Sequence, residues 1–165
     1  MSMDLQRVLR LSKAAVMACV CGWSMVAAFD NLTDYASNFE FVRHVLAMDT
    51  TFPGNAGMWR AISWTPLYHL AYALIIAAEL AIGALAGLSA VRMVRHWSHA
   101  ELFRPAKAVA VIALTLGILL WLGGFEVIAG EFFMMWQSRT WNAQESAFRF
   151  VVVFALALIF VAQDE

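Results

Sequence analysis

The chain has 165 residues, of which 62% are hydrophobic and 14% are charged, whereas charged residues make up roughly a quarter of soluble domains. Folded in water, a chain of this size buries only about two thirds of its surface, so this composition would leave large apolar patches exposed and excludes an ordinary soluble domain. The balance of 11 Lys and Arg against 12 Asp and Glu, a net charge of −1, excludes the basic footprint of a nucleic-acid binder.

A hydrocarbon core about 30 Å thick needs roughly 20 apolar residues in a helix, and four runs approach that length. The first, about 14–29 (AAVMACVCGWSMVAAF), follows Arg7, Arg10 and Lys13 and is stopped by Asp30 and Asn31. It is the shortest, and its basic start, apolar middle and Ala27-Ala28 pair also fit a secretory signal peptide. Cys19 and Cys21 lie within it and point in different directions on a helix, so they form neither a disulfide framework nor a zinc site.

A connection of about 30–65 follows, longer and more patterned than joining two helices requires. From Asn38, the string NFEFVRHVLAM places Phe39, Val42, Val45 and Leu46 at helical spacing. Glu40, Arg43 and His44 fall elsewhere around that helix, which predicts a short amphipathic helix on the membrane surface. DTTFPGN (49–55) reads as a turn through Pro53 and Gly54, and a short helical piece from Gly57 to Ser63 leads into the second span.

That second span, about 66–91, opens at Pro66, a residue suited to the first turn of a helix, and carries Glu79 as its only charge. The third, about 106–128, has Pro105 at its start and contains VAVIALTLGILLWLGGF. The fourth, about 147–162, has Arg149 near its beginning. No internal repeat, low-complexity segment or boundary between soluble domains interrupts residues 1–165. The chain reads as all-α: a polytopic membrane protein with a single four-transmembrane-helix bundle, and a short amphipathic helix and structured loop between helices 1 and 2 on the periplasmic side.

Orientation follows from Lys and Arg, which accumulate in cytoplasmic connections. Arg7, Arg10, Lys13, Arg92, Arg95, Arg104 and Lys107 make up seven of the 11, which places both termini in the cytoplasm. The outer side then receives the cap of about 30–65 and a connection of about 136–145, where Trp59, Trp64, Trp136 and Trp141 can form an aromatic belt. Arg92, Arg95, Arg104 and Lys107 also suit anionic headgroups, but they are the ordinary topology signal and are not read as a site.

The string FDNLTDYASNFEFVRHVLAMDTTFPGNAGMWRAI (29–62), followed by Pro66, His69, Tyr72 and Glu79, resembles the signature of the bacterial predicted small integral membrane proteins called domain of unknown function 2165. The resemblance extends over the four spans and nearly the whole chain. It implies four transmembrane helices in a bacterial inner membrane, and it implies no activity, cofactor or catalytic residue.

The candidate chemistry centres on Glu79, because a charged carboxylate in mid-span costs on the order of 3 kcal/mol even on the lenient insertion scale. His69, Tyr72, Ile76, Glu79, Gly83 and Gly87 follow steps of three and four and share one helix face. The Gly83-x-x-x-Gly87 pair suits close helix approach and would turn Glu79 into the bundle. On this reading Glu79, His69 and Tyr72 are candidates for binding a ligand or a proton in a cavity open to the outside; the plainer alternative is an interhelical hydrogen bond. The Gly123-Gly124 pair suits close helix packing or a local kink; Glu126 behind it is a candidate to join Glu79 and His69 in a polar pocket, while Glu131 is expected at the interface.

The four histidines make a poor haem site: His96 and His99 sit among basic residues, and only His44 with His69 could ligate from one side. No metal site is read, and no cofactor is expected, with a quinone or haem as the weaker alternatives. HExxH, GxSxG, P-loop and GxGxxG patterns are all missing. The expected function is therefore non-enzymatic: a structural or accessory subunit binding membrane lipids and a membrane-protein partner or a second copy. Phe39, His44, Phe52 and Trp59 of the outer cap are the contact candidates. The alternatives are a small transporter or proton-coupled binding protein using Glu79, and a quinone- or haem-linked respiratory subunit.

Overall fold

The computed structural model describes residues 4–164. Five α-helices follow in order: α1 (Leu5–Thr33), α2 (Tyr35–Ala47), α3 (Thr65–Arg95), α4 (Ala100–Ile118) and α5 (Gln144–Ala162). Helix α4 runs on without a break into a π-helical segment, Leu119–Phe132, and short 3-10 turns occupy Ala56–Arg60 and Met135–Gln137. Four helices, α1, α3, α4 with its π-helical continuation, and α5, are long and apolar enough to cross a membrane. The protein is an all-helical, polytopic membrane protein.

Each span exceeds its apolar run because the flanking polar residues find partners inside the helix pair or beyond it. Helix α1 begins well before Ala14: Arg10 Nη1 donates to the Trp97 carbonyl at 3.2 Å and Lys13 Nζ to the Gln163 carbonyl at 2.5 Å. Long basic stems of this kind run along apolar surface while their heads find oxygen at the helix ends. Nor does α1 stop at Asp30 and Asn31; it continues to Thr33, since Asn31 turns inward to a partner described below. Pro105 does not open the third span either, but lies inside α4, which starts at Ala100. The carbonyl that loses a donor to this proline is that of Glu101 in the first turn, close to the helix end, where the loss is tolerated.

Helix α1 packs on α3, α3 on α4, and α4 on α5. The α1–α3 approach is close at two glycines: a Cβ on Gly83 would meet Met25 Sδ at 2.7 Å, and one on Gly87 would meet Cys21 Sγ at 2.9 Å. Helices α3 and α4 share the buried bond from Ser89 Oγ to the Ala106 carbonyl, 2.8 Å. Helices α4 and α5 meet at Gly117, where any Cβ would collide with the Phe154 ring. The Gly123-Gly124 pair, by contrast, is not a close-packing point: a Cβ on Gly123 would meet nothing within 4 Å, and one on Gly124 only Leu120 Cδ1 at 3.9 Å. The physical reason is that the π-helical segment packs on α5 and stands away from α3, leaving open space beside these glycines. An aromatic ladder fastens it there, with Trp121 stacked on Phe150 at 3.9 Å and Phe150 on Trp23 at 4.2 Å.

A cap closes one end. The chain bends at Asp34, whose N–H still donates to the Asp30 carbonyl, and α2 turns Val42 and Val45 onto the helices beneath. Met48, in the left-handed region (φ 54°), ends α2. Three links then hold the following loop to the connection before α5: Thr50 Oγ1 donates to Ser138 Oγ at 2.9 Å, and Gln137 Oε1 accepts from the Phe52 N–H at 3.0 Å and from Asn55 Nδ2 at 3.2 Å. Arg60 Nη1 donates to the Phe132 carbonyl at 3.0 Å, and the Ile62 N–H to the Leu46 carbonyl at 2.9 Å. The cap is thus bonded to the ends of the helices that it covers.

Candidate functional site

Tyr72, Ile76 and Glu79 lie on the buried face of α3, and Glu79 is 3% exposed. A carboxylate placed there needs a polar partner, and α1 supplies it: Asn31 Nδ2 donates to Glu79 Oε2 at 2.8 Å. Asn31 is itself held by Tyr72, whose hydroxyl is 2.8 Å from the Asn31 carbonyl and 3.1 Å from its Oδ1. The result is a chain from hydroxyl to amide to carboxylate across two helices. Among the described residues no Lys, Arg or His makes an ion pair with Glu79.

This chain forms the polar wall of a cavity of about 190 Å³. Asn38, Phe41 and Val42 of α2 cover it, Trp121 and Phe125 of the π-helical segment face α3 across it, and Ala143 adds the start of the fourth span. A second cavity, about 260 Å³, adjoins it, with Phe41, Val42, Ile75 and Phe125 common to both linings. The second is apolar throughout, lined further by Val45, Leu46, Ala71, Leu74, Leu120, Gly124 and Ile128. Leu74 is 62% and Ile128 52% exposed, so this chamber opens at the lipid-facing perimeter between α3 and the π-helical segment.

The other residues singled out in the sequence fall elsewhere. His69 is exposed and does not share the pocket of Glu79; it is hydrogen-bonded through Nδ1 to the Tyr35 hydroxyl at 2.8 Å and stacked on Phe39 at 4.2 Å. Ten residues separate it from Glu79 along a helix, nearly three turns, which is too far for a common site. Glu126 does not join Glu79 either. The π-helical segment turns it toward α5, where its Oε2 accepts from Gln144 Nε2 at 3.4 Å and its Oε1 is buried without a partner.

On the cap, His44 Nδ1 lies 2.7 Å from Asp49 Oδ1, and its ring stacks on Trp141 at 4.7 Å. The neighbouring Arg43 donates to Glu40 Oε2 at 2.7 Å, a bond that raises its pKa above the usual guanidinium value. Phe52 meets Trp136 edge-on, and Trp59 meets Phe132 in the same way. His44 and His69 thus have separate partners. Among the described residues no group of three or more His, Cys, Asp or Glu side chains is placed to hold a metal.

Asn31, Phe41, Trp121 and Phe125 complete the site without having been singled out in the sequence. For Asn31 a signal existed: Ala14, Met17, Val20, Ser24 and Ala28 are all buried on α1, and Asn31 is the next position in that series of threes and fours.

A model of the family described as predicted small integral membrane protein (DUF2165) matches residues 9–164. The chain belongs to this family. The match to DUF2165 takes in the first span from residue 9 onward, the other three spans, the cap and every residue that lines the two chambers. None of the curated proteins and none of the solved structures matches the chain.

Proposed function

We propose that the protein is a membrane-embedded binding protein for a small amphipathic molecule, held between the second and third spans beneath the cap. The observation that carries this reading is the junction of two chambers of opposite character, one walled by Asn31, Tyr72 and Glu79 and one wholly apolar. A pocket with a few converging polar groups beside an apolar volume is how small-molecule sites are built. The packed spans act as one four-helix bundle in a bacterial inner membrane, with the basic end cytoplasmic and the cap periplasmic. This reading takes precedence over a purely structural or accessory role, for which the exposed Phe52 and Trp59 of the cap are the supporting feature.

Filling the apolar chamber tests it. Gly124 lines the apolar chamber, and a Cβ placed there has no neighbour closer than 3.9 Å, so Gly124→Leu is expected to fold and to occlude the chamber. Mass spectrometry of small molecules extracted from the mildly solubilised protein should find a species stoichiometric with the native chain and depleted in Gly124→Leu. Identical extracts from two folded proteins would refute the binding role.

A further inference from the structure

We infer that the molecule taken by this site is a lipophilic cation, an amine or quaternary ammonium carrying an apolar body, which enters sideways from the bilayer. The inference rests on the binding role proposed above and assigns its ligand class. Glu79 brings a carboxylate into a span with a single described donor, Asn31, and no described cation. The missing positive charge is what a ligand can supply.

The surrounding walls are of the matching kind. Phe41, Tyr72, Trp121 and Phe125 present aromatic surface to the same cavity as the carboxylate, and aromatic faces attract an organic cation, more strongly when it is desolvated. A strongly hydrated metal ion would find only one carboxylate there and no further acidic or imidazole ligand, too few to replace its water. The adjoining apolar chamber receives the hydrophobic body, and its opening beside Leu74 and Ile128 lets such a molecule pass from lipid to Glu79 without crossing water.

The test compares phenylbutyl-trimethylammonium with its uncharged isostere, in which carbon replaces the quaternary nitrogen, by equilibrium binding to the full chain in nanodiscs against empty nanodiscs. The native protein is expected to bind the cation about tenfold or more tightly than the isostere, the preference that carboxylate and ring contacts of this kind supply. Glu79→Gln, which keeps an acceptor for Asn31, should cut that preference to the few-fold that the rings alone supply while leaving isostere binding within about twofold, and Glu79→Asp should retain most of it. Equal affinity of cation and isostere, both lost in Gly124→Leu, would overturn the cation assignment and leave the binding role standing. Failure of the native protein to bind either probe would overturn both.

Discussion

Asn31 has two tasks: its amide donates to Glu79 and its oxygens accept from Tyr72. Removing its side chain leaves the buried Glu79 carboxylate without its donor, while the Tyr72 hydroxyl keeps its bond to the Asn31 main-chain carbonyl; Glu79→Gln, by contrast, keeps one oxygen to accept from Asn31. Asn31→Ala is therefore expected to cost about 1–3 kcal/mol of stability, more than Glu79→Gln. Unfolding titrations of the three proteins in bicelles measure the order, and a costlier Glu79→Gln would contradict it. Glu79 was legible in the sequence because one charge in an apolar run has to be explained. Asn31 was passed over because Asp30 beside it resembled the end of the span, although the series of threes and fours through Ala14, Met17, Val20, Ser24 and Ala28 runs on to Asn31 and not to Asp30. His69 and Glu126 misled for the complementary reason: a shared face or depth in the chain does not bring side chains together when the helix is long or its winding changes.

Among the elements, α2 was readable from the 3.6-residue spacing of Val42, Val45 and Leu46, and its left-handed end at Met48 was not, since no glycine marks it. The π-helical segment left no trace in hydrophobic periodicity, because a run that is apolar on nearly every side, with only Glu126 and Glu131 to break it, looks alike under any winding. Its consequence is nevertheless the site itself, since the segment packs on α5 and leaves α3 facing open space. The cap roofs that space and is fastened by short side-chain bonds. With Thr50 Oγ1 and Ser138 Oγ only 2.9 Å apart, a Thr50→Cys/Ser138→Cys pair in a background of Cys19→Ala and Cys21→Ala should form a disulfide on mild oxidation. Closing so long a loop is expected to add about 2–4 kcal/mol of stability. A thiol assay that still counts two free thiols in the folded protein would show that the loop does not rest where it is described.

For the whole molecule, the basic groups at one end are bonded to carbonyls of the neighbouring segments: Arg10 to Trp97, and Lys13 and Lys107 to Gln163. The proposed orientation makes this end cytoplasmic. In a cysteine-free background, a membrane-impermeant maleimide applied to spheroplasts should label Thr140→Cys, in the connection on the cap side, and not His99→Cys, in the connection between α3 and α4. The reverse pattern would invert the topology. Three spans were plain from the length of their apolar runs, because lipid demands long uninterrupted apolar helices, and the first was less so, because its short run also fits a signal peptide. The gap between two of them was invisible, because it depends on which neighbour each helix chooses.

That gap, bordered by Leu74 and Ile128, has a thermodynamic consequence. A chamber open to hydrocarbon is accessible to the acyl chains of the surrounding bilayer. Any guest therefore arrives by exchange, displacing one apolar tenant with another, and the transfer from water that drives most pocket binding contributes almost nothing. Discrimination between guest and bulk lipid then falls to the polar wall and the rings beside it, so a few atoms of Asn31, Tyr72 and Glu79 and the faces of Phe41, Trp121 and Phe125 set the selectivity of the whole site.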